Sequence, residues 1–155
     1  MIRAWRIDKA KRSPADSFSG EGARRIEGRW NSARHAVVYT ASSLSLAALE
    51  KFVHLGAESL GIRFVSYQVD IPSSVRIMEW KRSEMPKDWR TQPAPISTQK
   101  MGDEWIAGLR GAVLIVPSVV IPSESNVLLN PRHPKFTKIK ISPPLAFNFD
   151  PRMWK

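Results

Sequence analysis

The run Ala112-Val113-Leu114-Ile115-Val116 sets the architecture this chain can adopt. Five consecutive apolar residues, mostly β-branched or branched, have strand length and offer no polar face. They read as a central strand covered on both sides. A strand of that kind needs sheet neighbours and layers above and below it. Residues 64–71 alternate, with Val65, Tyr67, Val69 and Ile71 on one face, and Pro72 closes them. Residues 2–7 alternate as a first strand, residues 36–40 form a short one, and residues 126–130, 136–141 and 145–149 read as further short strands. Helical periodicity occurs in two places. Residues 44–55 follow a cap at Ser42 or Ser43 and stop at Gly56, and in residues 97–109 Met101, Trp105 and Leu109 recur at four-residue spacing. Residues 9–28 read as a long irregular segment and residues 73–95 as a Pro- and Trp-bearing connection. Strands with two helices among them predict a mixed α+β fold: one compact domain over residues 1–155, with mixed and antiparallel sheet and few helices.

The chemistry open to this chain is narrowed by what it lacks. It has no cysteine, hence no disulfide, thiolate metal site or cysteine nucleophile. His35, His54 and His133 lie far apart and give no metal-ligand spacing, so a metal-independent site is expected. There is no P-loop, no Gly-x-Gly-x-x-Gly and no His-Glu-x-x-His. Residues 1–6 lack the apolar core of a signal peptide, and no apolar run reaches the ~20 residues of a membrane span, which predicts a cytoplasmic protein without membrane contact. The formal net charge of +10 favours a phosphate-bearing small molecule, a polyanion or an acidic protein. The charge is spread along the chain, with modest density at Lys9-Lys11-Arg12, Arg24-Arg25 and Lys135-Lys138-Lys140, rather than gathered in one stripe.

Against that background four residues stand out. With a 3.6-residue period Leu46, Leu49, Glu50 and Val53 share a helix face, and a carboxylate in an apolar stripe demands a cation, a donor or a ligand. Pairing with a neighbouring cation, or rotation of the helix, would make Glu50 structural instead. His54 lies one turn later, at the spacing where side chains meet. Arg29, in Gly28-Arg29-Trp30-Asn31, offers a planar donor fork suited to phosphate or carboxylate; the alternative is a surface loop arginine. Tyr39 ends the strand that feeds the Glu50 helix, and is either a pocket-lining residue or a core tyrosine whose hydroxyl reaches solvent. Ser118, just past the central strand in Val116-Pro117-Ser118, either donates to a ligand or caps a turn. It is not in a Gly-x-Ser-x-Gly elbow, which excludes the hydrolase nucleophile.

In order and spacing, Gly28-Arg29-Trp30-Asn31-Ser32, Val37-Val38-Tyr39-Thr40-Ala41-Ser42, Leu46-Ala47-Ala48-Leu49-Glu50 with Val53-His54, Val113-Leu114-Ile115-Val116-Pro117-Ser118 and Asn126-Val127-Leu128-Leu129-Asn130-Pro131-Arg132-His133-Pro134 together resemble the RES domain. This is the toxin half of bacterial RES–Xre toxin–antitoxin pairs, named for an arginine, a glutamate and a serine that correspond here to Arg29, Glu50 and Ser118. The resemblance implies a fold similar to ADP-ribosyltransferases. It also implies a toxin that breaks the nicotinamide–ribose bond of NAD+, depleting the cell's NAD+ and arresting growth. The acceptor would be water or inorganic phosphate; a protein acceptor, making the chain a mono-ADP-ribosyltransferase, is the alternative. It implies an Xre-like helix-turn-helix antitoxin that blocks the active site, no direct nucleic-acid binding by this chain, and a homodimer within a larger toxin–antitoxin assembly. In that setting Glu50 would stabilise the oxocarbenium-like sugar or hold its hydroxyls, and Arg29 the pyrophosphate or adjoining ribose. Tyr39 would stack on nicotinamide or bond a ribose hydroxyl, and Ser118 would position nicotinamide or a phosphate. A non-catalytic, basic nucleic-acid-binding module is the remaining reading, motivated by the charge alone.

Overall fold

A computed structural model describes residues 1–154. The central strand is β5 (Val113–Pro117), and the expected layering surrounds it. Val113 packs with Val38, Leu129 and Tyr67, whereas Leu114 and Val116 face a second cluster built on Trp30 and Trp105. Both faces of the strand are therefore covered, and truncating Leu114 would cost on the order of 2–5 kcal/mol.

Among the described residues seven further strands surround it: β1 (Ile2–Lys9), β2 (Val38–Ala41), β3 (Phe64–Ile71), β4 (Ile77–Glu79), β6 (Ser125–Leu129), β7 (Lys140–Ile141) and β8 (Leu145–Phe147). The sheet runs in the order β4-β5-β6-β2-β1-β3-β7, with β8 on the same edge of β3 as β7. Among the described residues only the β4–β5 pair is parallel, so the sheet is mixed, as expected. Register places Trp5 opposite Ala41, Val38 opposite Leu129 and Leu114 opposite Leu128. The sheet thus brings the ends of β2 and β5 to either side of β6.

Four α-helices occur among the described residues rather than two: α1 (Pro14–Ser17), α2 (Glu21–Arg25), α3 (Leu44–Phe52) and α4 (Ile96–Gly108). The first two lie in the segment expected to be irregular. They have four and five residues, too short to display a helical period, but their ends are marked. Ser13 Oγ accepts from the Asp16 amide ahead of Pro14, and Gly20 takes φ 77° immediately before Glu21. Residues 136–141 are a second correction: a 3-10 turn at Pro134–Lys138 leaves only Lys140 and Ile141 in a strand. His133 Nδ1 caps that turn by accepting from the Lys135 amide.

α3 forms as expected on a Ser43 cap, whose Oγ accepts from Leu46 N at 3.1 Å and stabilises the helix by about 1 kcal/mol. It stops at Phe52 rather than at Gly56, which instead leads into a 3-10 turn, Ala57–Gly61. Leu46 and Ala47 are buried against Ile7, Ala41 and Phe64, whereas Leu49 and Val53 stay exposed. The expected continuous apolar face is therefore buried only at its first turn. α4 starts one residue earlier than expected, and Leu109 is its left-handed C-terminal residue rather than a core position.

Candidate active site

Arg29 sits in a loop held from several directions. Gly28 and Asn31 form an antiparallel bridge, with Gly28 N donating to Asn31 O at 3.0 Å and to Asn31 Oδ1 at 3.1 Å. Asn31 is fully buried, and its amide donates to Ala23 O at 2.7 Å and Ser32 O at 3.1 Å. From α4, Gln99 Nε2 donates to Gly28 O, and Asp103 accepts from both the amide and the hydroxyl of Ser32. Gly102 lies so close to the loop that a Cβ there would stand 1.6 Å from Trp30 O.

Tyr39 completes this frame from β2. Its hydroxyl donates to Asn31 Oδ1 at 2.6 Å and accepts from Trp30 N at 3.0 Å. Burial pushes its pKa well above the ordinary tyrosine value. The phenol is therefore a neutral donor at physiological pH.

The Arg29 side chain is half-buried. Nη1 donates to Trp89 O at 3.2 Å and to Thr91 O, both in the connection between β4 and α4. Burial pulls its pKa down, while the fields of Tyr39 and Glu50 oppose that. No hydrogen bond within the described residues uses Nε or Nη2.

Glu50 comes from the last turns of α3. Its Oε1 accepts from Ser118 Oγ at 2.7 Å across 68 residues of sequence. It is half-buried rather than sealed in the core, and neither a lysine nor an arginine among the described residues forms an ion pair with it. Ser118 is fully buried. Besides donating to Glu50, its Oγ accepts from the amides of Val120 at 3.1 Å and Ile121 at 3.0 Å. A hydroxyl has one proton and two lone pairs, so all three are committed. The fold thus brings Arg29, Tyr39, Glu50 and Ser118 to one region: Ser118 touches Glu50, and the Arg29 cation lies within the field of both Glu50 and Tyr39. His54 is exposed and its ring makes no hydrogen bond among the described residues.

Sequence reasoning missed Asn31, Gln99 and Asp103, which hold the Arg29 loop, and a charged cluster at the other side of α3. Asp8 is fully buried, with Arg6 Nη2 at 3.3 Å and Arg12 Nη1 at 3.1 Å. Arg6 Nη1 also donates to Tyr39 O at 2.9 Å, linking this cluster to β2. The signal for it was available: Arg6 and Asp8 are two residues apart in a strand and must share a face. A cavity of about 250 Å³ opens nearby, lined by Lys9, Ala10, Lys11, Ile62 and Arg63, and none of the four candidate residues lines it. No group of three metal-ligating side chains occurs among the described residues.

The RES domain family matches residues 3–150, and the chain belongs to it. A Yersinia enterocolitica protein named Toxin Res is 42% identical over 144 residues, covering 92% of this chain and 94% of that one. A Sphingobium protein named Prs ADP-ribosylating toxin is 38% identical over 152 residues, covering 96% and 94% respectively. The crystal structure of the M. tuberculosis MbcT–MbcA toxin–antitoxin complex contains a chain of similar fold, with a TM-score of 0.75 at 17% identity, covering 99% of this chain and 86% of that one. No helix among the described residues is long and apolar enough to cross a membrane.

Proposed function

We propose that this chain is a toxin that cleaves the nicotinamide–ribose bond of NAD+. The observation that carries the reading is the juxtaposition of a half-buried carboxylate, aimed by the Ser118 hydroxyl at 2.7 Å, with a guanidinium that keeps donors free. Cleavage breaks the ribose C–N bond, and its electron pair leaves with nicotinamide, neutralising the pyridinium ring. The sugar is left with oxocarbenium-like charge, which the Glu50 carboxylate stabilises. Water captures it to give ADP-ribose and a proton, or inorganic phosphate captures it to give the corresponding sugar phosphate. Arg29 holds the diphosphate through its remaining donors.

Tyr39 and Ser118 act through others. The committed phenol of Tyr39 holds the Trp30 and Asn31 backbone beside Arg29, and the buried Ser118 aims Glu50. A direct contact of Ser118 with NAD+ has no place in this reading, because burial leaves its hydroxyl no free face.

The partner in this reading is an Xre-like helix-turn-helix antitoxin that covers the site, and the exposed Leu49 of α3 and Val53 at its C-terminal end supply an apolar rim for it. Assembly as a homodimer within that complex, action in the cytoplasm and independence of metal belong to the same proposal. The test is incubation of the purified chain with NAD+, with and without phosphate, while free nicotinamide is followed. Nicotinamide release is expected, and Glu50→Gln should lower its rate by about 10²-fold or more without unfolding the chain. Absence of release by the wild type under both conditions would refute the reading.

A second reading is favoured by the Sphingobium relative's name: the same site would pass ADP-ribose to a protein. Labelled NAD+ added to a cell lysate separates the two, since label retained on a protein band requires transfer.

A further inference from the structure

The segment between β4 and α4 crosses the candidate site, and its contacts there are directional. Arg29 Nη1 is anchored on the carbonyls of Trp89 and Thr91, the residues on either side of Arg90. Arg90 itself reaches onward: its Nη2 donates to Val119 O at 3.1 Å, one residue past the Ser118 that holds Glu50. Its guanidinium carbon stands 5.9 Å from the Trp89 ring centroid, within cation–π range. Segment 89–91 therefore spans from Arg29 to the Ser118 turn, with a second guanidinium on the far side.

Both arginines are seated on neutral carbonyls. Elsewhere in the fold, Arg3, Arg12, Arg24 and Arg152 each face a carboxylate, which spends their charge within the chain. Arg90 is exposed, has no carboxylate within ion-pair distance among the described residues, and uses one of its five N–H donors on the chain. A guanidinium held in place by a carbonyl keeps its full positive charge for an anion from outside. A dinucleotide diphosphate carries two negative charges, and Arg29 alone balances one.

We propose that Arg90 is a second guanidinium contact on the diphosphate of the substrate, opposite Arg29; this rests on the NAD+ reading above. The tie to Val119 could also serve merely to brace the segment, so the variants must separate charge from tie. Arg90→Gln keeps an N–H donor for Val119 O and removes the charge, whereas Arg90→Lys keeps the charge with a poorer fork.

The experiment is titration of ADP-ribose into the purified full chain at low and at high salt, with thermal unfolding as a check on folding. Arg90→Gln and Arg90→Ala should each weaken ADP-ribose binding by about tenfold at low salt, with Arg90→Lys close to wild type and the differences narrowing at high salt. In NAD+ turnover the loss should fall on KM more than on kcat. Wild-type affinity in Arg90→Gln would overturn the assignment, because the tie alone would then suffice. So would a wild type that does not bind ADP-ribose. If the wild type binds ADP-ribose with this dependence on Arg90 yet releases no nicotinamide from NAD+, the phosphate contact stands and the cleavage reading fails.

Discussion

Ser118 divides its hydroxyl between two tasks, aiming Glu50 and closing the turn through the Val120 and Ile121 amides. Ser118→Ala removes both. Two partly buried amides lose a partner, at a cost of about 1–3 kcal/mol in stability, readable by urea denaturation. The Glu50 carboxylate loses its only side-chain hydrogen bond within the described residues, so it samples several rotamers and turnover should drop by about 10²-fold, mostly in kcat. Because the serine acts through the glutamate, Ser118→Ala combined with Glu50→Gln should be no slower than Glu50→Gln alone. An additive loss in that cycle would mean that Ser118 has a role of its own. The pairing of these two residues was only half legible beforehand. Glu50 stood out as a charge beside leucines and Ser118 as a residue past a buried strand, but their contact spans 68 positions and leaves no periodic mark. Nor is Glu50 embedded as its helical spacing implied: Leu49 and Val53 are exposed, because α3 rests on the sheet through Leu46 and Ala47. Asn31, Arg90 and Asp103 were harder still, since bonds to backbone or across the fold impose no spacing on the sequence.

At the scale of elements, the Arg29 loop is shaped by the approach of α4. Alanine in place of Gly102 would ordinarily favour a helix by up to ~1 kcal/mol. Here its Cβ would stand 1.6 Å from Trp30 O, a backbone atom braced by Tyr39 and Asn31 and unable to swing aside. Overpacking of that kind costs about 1–3 kcal/mol or more, so the clash outweighs propensity. Gly102→Ala should therefore lower the urea midpoint. It should also raise KM for NAD+, because pushing α4 away releases the Gln99–Gly28 and Asp103–Ser32 bonds that hold Arg29. A variant more stable than wild type would show that the loop yields and that α4 does not set it. The strands of this sheet were legible where they were long or fully apolar, as in β1, β3 and β5, since alternation and unbroken apolar runs are signals of the strand itself. α1 and α2 were not, because each holds scarcely more than one helical turn, and residues 136–141 alternate like a strand yet begin inside the proline-led turn Pro134–Lys138.

For the molecule as a whole, the excess of positive charge has a cost concentrated at one place. Lys51 follows Glu50 on α3 but faces the other way, toward Arg6, Asp8, Arg12 and Lys9. Burial, with the fields of Arg6, Arg12 and Lys9 added and only Asp8 opposing, lowers its pKa from about 10.5 to about 8. Asp8 is held below the ordinary carboxylate value: burial would raise it, but Arg6 and Lys51 outweigh that. Between pH 8 and 10.5 the unfolded chain therefore keeps a proton on Lys51 that the folded chain has released. The unfolded state binds more protons there, so this group's contribution to stability rises with pH across that window. Below pH 8 both states are charged and the folded state bears the full cost of a buried ammonium. Lys51→Met keeps a comparable unbranched stem and removes that charge, so it should raise the urea midpoint at pH 7. Its advantage should shrink steadily as pH rises from 8 toward 10.5, because folded wild-type Lys51 is then neutral while the unfolded chain still carries the charge. Other lysines that titrate in this range are common to both proteins and cancel in the difference. A midpoint difference that stays constant from pH 7 to pH 10 would place the effect in packing, and would mean that burial and the cations around Asp8 do not depress Lys51.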